Sequence, residues 1–375
     1  MLRAPDWPRE VSEGPTVEHL AVSAYRIPTD TPVESDGTFE WNATTLVLVE
    51  LTAGGITGVG YTYADTATAH LIRDSLAEVV EGEDVFATGR LWTRLVGRIR
   101  NLGRPGIASM AIAAVDAALW DAKAKLLGVP VVTLLGATRD AAPVYGSGGF
   151  TSYSEAQLQA QLAGWVAMGI PRVKMKIGRD PAADVGRVAA ARAAIGPDAE
   201  LYVDANGGYD RKLALAQARR FVDAGVSWFE EPVYHLDLEG LRLCRDHAPA
   251  GMDVAVGEYG YDPAAFTRIL DAGAVDVLQA DASRCEGITG FLVVDALCEA
   301  RMIPLSAHCA PSLHAHPACA AKRLRHIEYF HDHVRIEHML FDGALTPADG
   351  ALHPDLGRPG LGLEFKHADA RRYAL

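Results

Sequence analysis

The 375-residue sequence lacks the features that direct a protein to a membrane or to nucleic acid. No stretch approaches the roughly 20 apolar residues that a membrane-spanning helix needs. The segment from Met1 to Glu10 has no apolar centre, so it is not expected to be a signal peptide. The formal net charge is −13, which makes nucleic acid a poor partner because phosphate binding needs a basic face. An anionic substrate would need a bound cation and local lysines to attract it.

Cysteine is scarce, and its spacing argues against two kinds of site. The five cysteines are odd in number and form no CxxC pair, so neither a disulfide framework nor a zinc cluster is predicted. Reduced thiols in a cytoplasmic protein are expected instead. Cys309 directly follows a histidine that is a catalytic candidate, and a packing role is favoured for it over a place in an active-site wall.

The first third of the chain has the pattern of a separate α+β domain, assigned here to residues 1–135. Residues 44–52 are β-branched and apolar, and Gly54-Gly55 after them predicts a hairpin turn. Residues 109–127 are rich in alanine and leucine with helical periodicity, and Gly128 and Pro130 end that pattern.

After Ala142 the pattern changes to short β-rich runs separated by helical stretches. Eight runs recur at intervals of roughly 20 to 30 residues, which is typical of a parallel (β/α)8 barrel of the TIM type. The runs are 143–148, 172–177, 200–204, 228–231, 253–258, 275–281, 303–308 and 325–330. The barrel is assigned to residues 136–335. The loop-rich residues 336–375 are predicted to fold back onto the first domain and complete it.

Ionisable residues recur at the carboxyl ends of these predicted strands, where barrel enzymes build their active sites. Asp204, Glu230 and Glu258 end three successive strands. Neighbouring strand ends would place these three carboxylates within a few Å of one another, and like charges that close cannot all stay ionised without a counter-cation. Oxygen ligands suit Mg²⁺, whereas zinc prefers histidine or cysteine. The sequence therefore predicts a magnesium site, and Asn206, two residues after Asp204 and facing the same way, is a candidate for holding a ligand or a substrate oxygen.

Two lysines stand two residues apart on the second predicted strand, so Lys174 and Lys176 should share a face. They are interpreted as a substrate clamp and a base, because a neighbouring ammonium and a dication lower the pKa of a lysine.

Asp281 and His308 end neighbouring strands, and a carboxylate beside an imidazole fixes its tautomer and raises its basicity. His308 is preferred over nearby histidines because it ends an apolar strand, whereas the others are assigned to helices or loops; these are His314, His316, His326, His331 and His333. Glu328 is interpreted as a hydrogen-bond donor kept protonated by burial, with a plain ion pair as the alternative.

In combination, these motifs resemble the mandelate racemase subgroup of the enolase superfamily. They are VKMKIG, YVDANGGY, WFEEP, VAVGE, LQAD, LSAHCAPSLHAH and HIEYF, together with the helix AVDAALWDAKAKLLG. The resemblance implies a modified barrel with a capping domain, and removal of the proton alpha to a substrate carboxylate. Lys176 would be one base and the His308–Asp281 dyad would serve the opposite face of the carbon.

The resemblance implies the remaining roles as well. Lys174 would bind the substrate carboxylate, Glu328 the enediolate, and residues 35–42 of the capping domain would set specificity. The metal ligands would be Asp204, Glu230 and Glu258. The chain departs from the pattern at Ala137 and at Glu286, where glycine is usual, and Glu286 puts the surroundings of the sixth strand in doubt.

Several reactions fit this set of residues. Dehydration of a sugar acid to a 2-keto-3-deoxy acid is favoured over racemisation or epimerisation of a 2-hydroxy acid, and over cycloisomerisation of a sugar lactone. A non-catalytic, metal-dependent binding protein and a metal-dependent hydrolase are the alternatives from other classes, although hydrolase metal sites on such barrels are usually rich in histidine. A small carboxylate substrate and a homo-oligomer are expected.

Overall fold

The computed structural model describes residues 14–375, so the segment from Met1 to Glu10 lies outside the described residues. An antiparallel sheet is the first element of the described chain. Strands β1 (Val17–Pro28), β4 (Ala43–Ala53) and β5 (Ile56–Tyr63) form this sheet, and the short strands β2 (Glu34–Ser35) and β3 (Glu40–Trp41) form a hairpin beside it. Gly54 and Gly55 make the predicted turn with φ of 55° and 75°, the left-handed backbone that a two-residue hairpin favours.

Helices cover this sheet, and the long helix predicted near residue 109 is confirmed. The helices are α1 (Thr66–Leu71), continued by a π-helical turn at Ile72–Leu76, then α2 (Ala77–Val80), α3 (Thr88–Arg98), α4 (Ile107–Leu126) and α5 (Val131–Leu135). Helix α4 lies directly on β5 because Gly58 and Gly60 leave room for it: a Cβ at either position would overlap backbone atoms of α4.

Eight parallel strands close into a barrel, as predicted. They are β6 (Ala142–Gly148), β7 (Arg172–Lys176), β8 (Glu200–Asp204), β9 (Val226–Glu230), β10 (Asp253–Val256), β11 (Val277–Ala280), β12 (Leu305–Ala307) and β13 (Leu324–Phe330). Each strand pairs with the next in the chain, and β13 pairs back onto β6. The α/β barrel with a capping domain is therefore confirmed.

Outer helices connect these strands. They are α6 (Glu155–Ala167), α7 (Pro181–Ile195), α8 (Arg211–Phe221) with a 3₁₀ turn at Val222–Ala224, α9 (Leu238–His247), α10 (Pro263–Asp271), α11 (Gly287–Arg301), α12 (Pro311–Ala320) and α13 (His331–Leu340). None of the helices within residues 14–375 is long and apolar enough to cross a membrane.

The amino-end half of the barrel interior is filled by aromatic rings, and His326 belongs to this layer. Tyr145, Tyr202 and Trp228 are fully buried there, and the His326 ring lies 4.6 Å from that of Tyr145. The assignment of His326 to a helix or loop was wrong, since it lies on β13 and its Nδ1 is 2.9 Å from the Ser306 hydroxyl. His326 is thus packed away from the carboxyl ends of the strands.

The final segment contacts both parts of the molecule. It contains β14 (Phe341–Asp342), β15 (Ala351–Leu352), β16 (Glu364–Phe365), α14 (His367–Ala370) and a 3₁₀ turn at Arg371–Tyr373. Strand β15 pairs with β6 of the barrel, while the Leu375 N–H donates to the Ala24 carbonyl of β1 at 3.0 Å. The division into residues 1–135, 136–335 and 336–375 stays an interpretation, and its last boundary falls inside α13.

The close contact between β5 and α4 makes Gly60 sensitive to substitution. Gly60→Ala is expected to lower the free energy of unfolding by about 1–3 kcal/mol, because the added methyl overlaps the Ala114 carbonyl. Gly186→Ala is the matched control, because Gly186 lies exposed in α7 with nothing near the added methyl. Alanine at this position should raise the free energy of unfolding by about 0.5–1 kcal/mol. Thermal melting of both variants would test this, and a Gly60→Ala protein as stable as the parent would contradict it.

Candidate active site

Three buried carboxylates meet at the carboxyl ends of neighbouring strands. Asp204 and Glu230 end β8 and β9, and Glu258 follows β10; one oxygen from each lies within 4.8 Å of the others. Burial and the nearby Asp204 carboxylate raise the pKa of Glu230 to about 8, and Glu258 Oε2 is buried without a hydrogen-bond partner. Crowded oxygen donors, one of them unpaired, are suited to a hard divalent cation.

Both lysines of β7 point into this cluster. Lys176 Nζ lies 2.5 Å from Asp204 Oδ2, and Lys174 Nζ lies 2.6 Å from Glu230 Oε1. Burial alone would lower the pKa of each lysine, but the carboxylates outweigh it and raise both values, with Glu230 and Glu328 acting on Lys174 and Asp204 on Lys176. The neighbouring ammonium group by itself therefore does not lower the pKa of either lysine, because carboxylates on β8, β9 and β13 face them; the lowering predicted for the base depended on a bound dication as well.

A cavity of about 540 Å³ opens above the carboxylates. Barrel residues in its wall include Lys176, Asn206, Glu258, Tyr259, Arg284, His308, Cys309, Glu328, Asp332 and His333, and capping-domain residues include Asp36, Phe39, Trp41, Tyr63 and Asp65. Lys174 is not in the wall; it is fully enclosed beneath it. Asn206 has a φ of 44° and its side-chain oxygen lacks a partner, so this amide is available at the cavity.

His308 and Asp281 form a hydrogen-bonded pair at the edge of this cavity. His308 Nδ1 lies 2.9 Å from Asp281 Oδ2, and Ser283 donates its N–H and its hydroxyl to Asp281 Oδ1, each at 2.7 Å. Burial opposes a charged imidazole, yet Glu258, Glu328 and Asp281 together raise the pKa of His308. Since Nδ1 is bound to Asp281, Nε2 is the nitrogen left for proton transfer.

The neighbouring buried histidines bind backbone amides instead of a carboxylate. His314 Nε2 accepts the Ala282 N–H at 2.8 Å, and His333 Nδ1 accepts the Ala310 N–H at 3.2 Å. Burial lowers the pKa of His333 to about 3 and that of His316 to about 4. These rings are neutral and hold backbone amides, which leaves His308 as the buried histidine paired with a carboxylate in the wall.

Glu328 is an ion pair in this structure, which is the alternative that the sequence disfavoured. Its Oε1 lies 2.8 Å from Lys174 Nζ and accepts the Ser147 hydroxyl at 2.5 Å. Burial by itself would raise the pKa of Glu328, but Lys174 and His308 hold it well below its usual range. The interpretation as a carboxyl kept protonated by burial was therefore wrong for this arrangement, since it omitted cations brought in by other strands.

Sequence reasoning missed Arg284 and misplaced Cys309. Arg284 Nη1 donates to the Glu258 carbonyl at 3.1 Å, and Arg284 Nε lies 3.6 Å from Asp281 Oδ2. Its place three residues after Asp281 in SRCEGIT was the available signal. The packing role favoured for Cys309 was wrong, because its left-handed backbone, with φ of 54°, sets the residue in the cavity wall beside His308.

Residues 35–42 lie over the barrel opening. The Thr151 N–H donates to the Ser35 carbonyl at 2.8 Å, and Trp41 Nε1 donates to Asp332 at the start of α13 at 3.0 Å. This segment supplies Asp36, Phe39 and Trp41 to the cavity wall, so it is positioned to contact a substrate.

Glu286 does not disturb the site. Its carboxylate is bound by the Arg104 guanidinium, with Nη2 at 2.6 Å, and its carbonyl accepts from Trp92 Nε1. Its φ of 66° is the left-handed conformation that explains why glycine is usual there. Glu286 thereby ties the capping domain to the loop before α11 instead of facing the cavity.

Two known sequence families match the chain. Residues 157–370 match the family described as "Enolase C-terminal domain-like". Residues 21–136 match "Mandelate racemase / muconate lactonizing enzyme, N-terminal domain".

Characterised relatives match over nearly the whole length. L-talarate/galactarate dehydratase of Salmonella typhimurium is 31% identical, over 96% of this chain and 91% of that protein. The 3,6-anhydro-alpha-L-galactonate cycloisomerase of Streptomyces coelicolor is 32% identical, over 93% of this chain and 98% of that protein. The relatives include dehydratases and cycloisomerases of acid sugars.

Solved structures share the fold closely. A mandelate racemase/muconate lactonizing enzyme-like protein from Rubrobacter xylanophilus has 54% identity and a TM-score of 0.94, covering 96% of this chain and 100% of that one. A racemase from Streptomyces coelicolor with bound magnesium has 29% identity and a TM-score of 0.90, with the same coverage. Together with the closed barrel and its capping domain, these matches establish that the chain belongs to the mandelate racemase/muconate lactonizing enzyme family of the enolase superfamily.

Proposed function

We propose that this protein is a Mg²⁺-dependent enzyme that removes the proton alpha to the carboxylate of an acid sugar and dehydrates the sugar to a 2-keto-3-deoxy acid. The observation that carries the proposal is the placement of two ionisable side chains, Lys176 and His308, in the wall of one cavity. Lys176 is on β7 and His308 follows β12, which lies on another side of the eight-stranded barrel. A substrate carbon held between them can lose or receive a proton on either face.

Asp204, Glu230 and Glu258 are the proposed Mg²⁺ ligands. Their crowding, the pKa of about 8 for Glu230 and the unpaired Glu258 oxygen support this assignment, as does the magnesium bound in the Streptomyces coelicolor racemase. When bound, Mg²⁺ supplies Lewis-acid stabilisation of the negative charge that develops on the substrate carboxylate.

Side chains of this protein are proposed to carry out the remaining steps. Lys176 and His308 are the proposed bases, and Asp281 holds the imidazole with Nε2 turned to the cavity. Glu328 is proposed to contact the enediolate, and Asn206 is proposed to contact the substrate.

Lys174 is proposed to bind the substrate carboxylate. This role requires its ammonium group to give up one of its present partners, Glu230 or Glu328. Positioned general bases contribute about 10²–10⁴-fold, so most of the acceleration must come from electrostatic stabilisation.

In the proposed dehydration, Lys176 takes the alpha proton and His308 gives a proton to the departing beta-hydroxyl. The C–O bond breaks, water leaves, and the resulting enol becomes the keto acid. The L-talarate/galactarate dehydratase among the relatives supports this reaction. Racemisation or epimerisation, and lactone cycloisomerisation, use the same residues and are the alternatives; the Streptomyces coelicolor racemase and cycloisomerase described above support them. A homo-oligomer and a cytoplasmic location stay predictions from the sequence.

A library of acid sugars, incubated with enzyme and Mg²⁺ and assayed for 2-keto acids, tests the reaction. At least one acid sugar is expected to give a keto acid, and excess chelator should stop its formation. Racemised or cyclised products without a keto acid would favour the isomerase alternatives. Tight Mg²⁺ binding with no turnover across the library would favour the non-catalytic binding protein.

Isotope exchange tests the two bases without knowledge of the product. In deuterated water, His308→Asn is expected to retain exchange of an alpha proton that faces Lys176 and to lose exchange of one that faces His308. Lys176→Ala should give the opposite pattern, and proton NMR of the alpha position measures both. Equal loss of exchange for both configurations in each variant would contradict the assignment of one base to each face.

A further inference from the structure

Three different metal-binding side chains converge on one side of the cavity, next to the carboxylate cluster, with His308 Nε2 3.6 Å from Glu258 Oε2. Cys309 Sγ lies 3.3 Å from His308 Nε2 and 3.4 Å from Glu328 Oε2. His308 Nε2 lies 3.5 Å from Glu328 Oε2. All three residues are buried and line the cavity, and none is among the proposed Mg²⁺ ligands.

These separations match those of ligands around a tetrahedral zinc ion. Zinc binds sulfur at about 2.3 Å and nitrogen or oxygen at about 2.0–2.2 Å, which places neighbouring ligand atoms about 3.4–3.6 Å apart. The observed triangle of 3.3, 3.4 and 3.5 Å is close to this without movement of the backbone. Three protein ligands with the fourth position open to a cavity is an arrangement that zinc adopts at reactive sites.

The surroundings orient each ligand for a cation at this point. Asp281 holds His308 Nδ1 at 2.9 Å, so the imidazole presents Nε2; a carboxylate behind a histidine is the usual outer support of a zinc ligand. Glu328 uses Oε1 for Lys174 and Ser147, while Oε2 faces Cys309 and His308. Support of this kind distinguishes the cluster from an isolated cysteine.

The backbone at Cys309 is also held in an uncommon conformation. Cys309 and Ala310 have φ of 54° and 39°, and a left-handed conformation of a non-glycine residue persists only where the surrounding structure holds it. The Cys309 N–H donates to Glu328 Oε2 at 3.2 Å. This conformation keeps the sulfur within reach of both partners.

We propose that His308, Cys309 and Glu328 form a second cation site that binds Zn²⁺ or another thiophilic divalent ion, beside the carboxylate site that favours Mg²⁺. On binding, the metal–sulfur bond replaces the Cys309 S–H bond, the metal–nitrogen bond replaces the N–H bond of a protonated His308 Nε2, and the two released protons, which balance the two charges of the ion, pass to solvent. The ion occupies the lone pair of His308 Nε2. Zinc therefore blocks proton transfer at His308, a consequence that rests on the proposed function, whereas the binding itself does not.

Cobalt binding to the full-length protein in saturating Mg²⁺ tests the site, because Mg²⁺ fills the carboxylate cluster and thiolate ligation gives Co²⁺ a near-ultraviolet charge-transfer band. One equivalent of Co²⁺ is expected to produce the band in the parent protein. Added Zn²⁺ should displace the Co²⁺ and abolish the band. The band should disappear in Cys309→Ser and persist in the matched control Cys244→Ser, whose buried thiol is on the outer helix α9.

Competition with a zinc-binding dye gives the affinities. Asp281→Asn is expected to weaken Zn²⁺ binding about 10–100-fold, the usual effect of losing an outer support, and Cys309→Ser should weaken it more. Absence of the cobalt band in the parent protein would overturn the proposal. So would a band that survives in Cys309→Ser or is lost in Cys244→Ser, since the thiol involved would then not be Cys309.

Discussion

Replacing His308 with asparagine is expected to lower kcat for dehydration by about 10²–10⁴-fold, the contribution of a positioned general acid or base. Asparagine keeps a hydrogen-bonding group toward Asp281 Oδ2 but has no nitrogen that can carry a proton to the leaving hydroxyl. Because His308 is buried and His333 and His314 are bound to backbone amides, neither of these neighbouring imidazoles is free to replace it. Steady-state rates of keto-acid formation measure the effect.

His331→Asn is the matched control for this variant. His331 begins α13, pairs with Asp30 at 2.8 Å and is absent from the cavity wall, so its rate should stay close to that of the parent. Asp281→Asn should fall between the two, because it disturbs the tautomer and basicity of the imidazole without removing it. A near-parent rate for His308→Asn on the true substrate would require Lys176 alone to carry both proton transfers.

Removing the metal, or one of its proposed ligands, is the second large effect that we expect. Excess chelator should abolish turnover, and added Mg²⁺ should restore it. Glu230→Gln should bind Mg²⁺ poorly while the fold survives, because glutamine keeps the shape of glutamate and an oxygen that can accept from Lys174 Nζ, which lies 2.6 Å from Glu230 Oε1. Calorimetric titration with Mg²⁺ measures the loss of binding directly.

Thermal melting gives a second readout that does not depend on a substrate. An ion present at 100 times its Kd stabilises the folded protein by about 2.7 kcal/mol, so Mg²⁺ should raise the Tm of the parent but not that of Glu230→Gln. Glu200→Gln is the control, since Glu200 begins β8 and pairs with Arg172 at 2.9 Å, away from the cavity. Full turnover in excess chelator would contradict the metal assignment.

The sequence determined the architecture because the signals for it are local. Each barrel strand is a short β-rich run with a helical stretch after it, and the chain alone locates all eight. The carboxyl ends of parallel strands must meet at one face. Asp204, Glu230 and Glu258 can therefore be grouped from the sequence alone, and the structure places them within reach of one ion. The hairpin turn at Gly54-Gly55 can also be predicted from the sequence, because it depends on two adjacent residues.

Only the tertiary structure decided the charge states and the contacts around those residues, since these depend on groups from distant parts of the chain. The ion pair between Lys174 and Glu328 joins β7 to β13, and together with His308 it holds the pKa of Glu328 well below its usual range, against the rise expected from burial. Arg104 reaches Glu286 across 182 residues. The position of Cys309 depends on a left-handed backbone that non-glycine residues rarely adopt. No periodicity or motif encodes such a conformation, because packing from several strands and helices holds it in place.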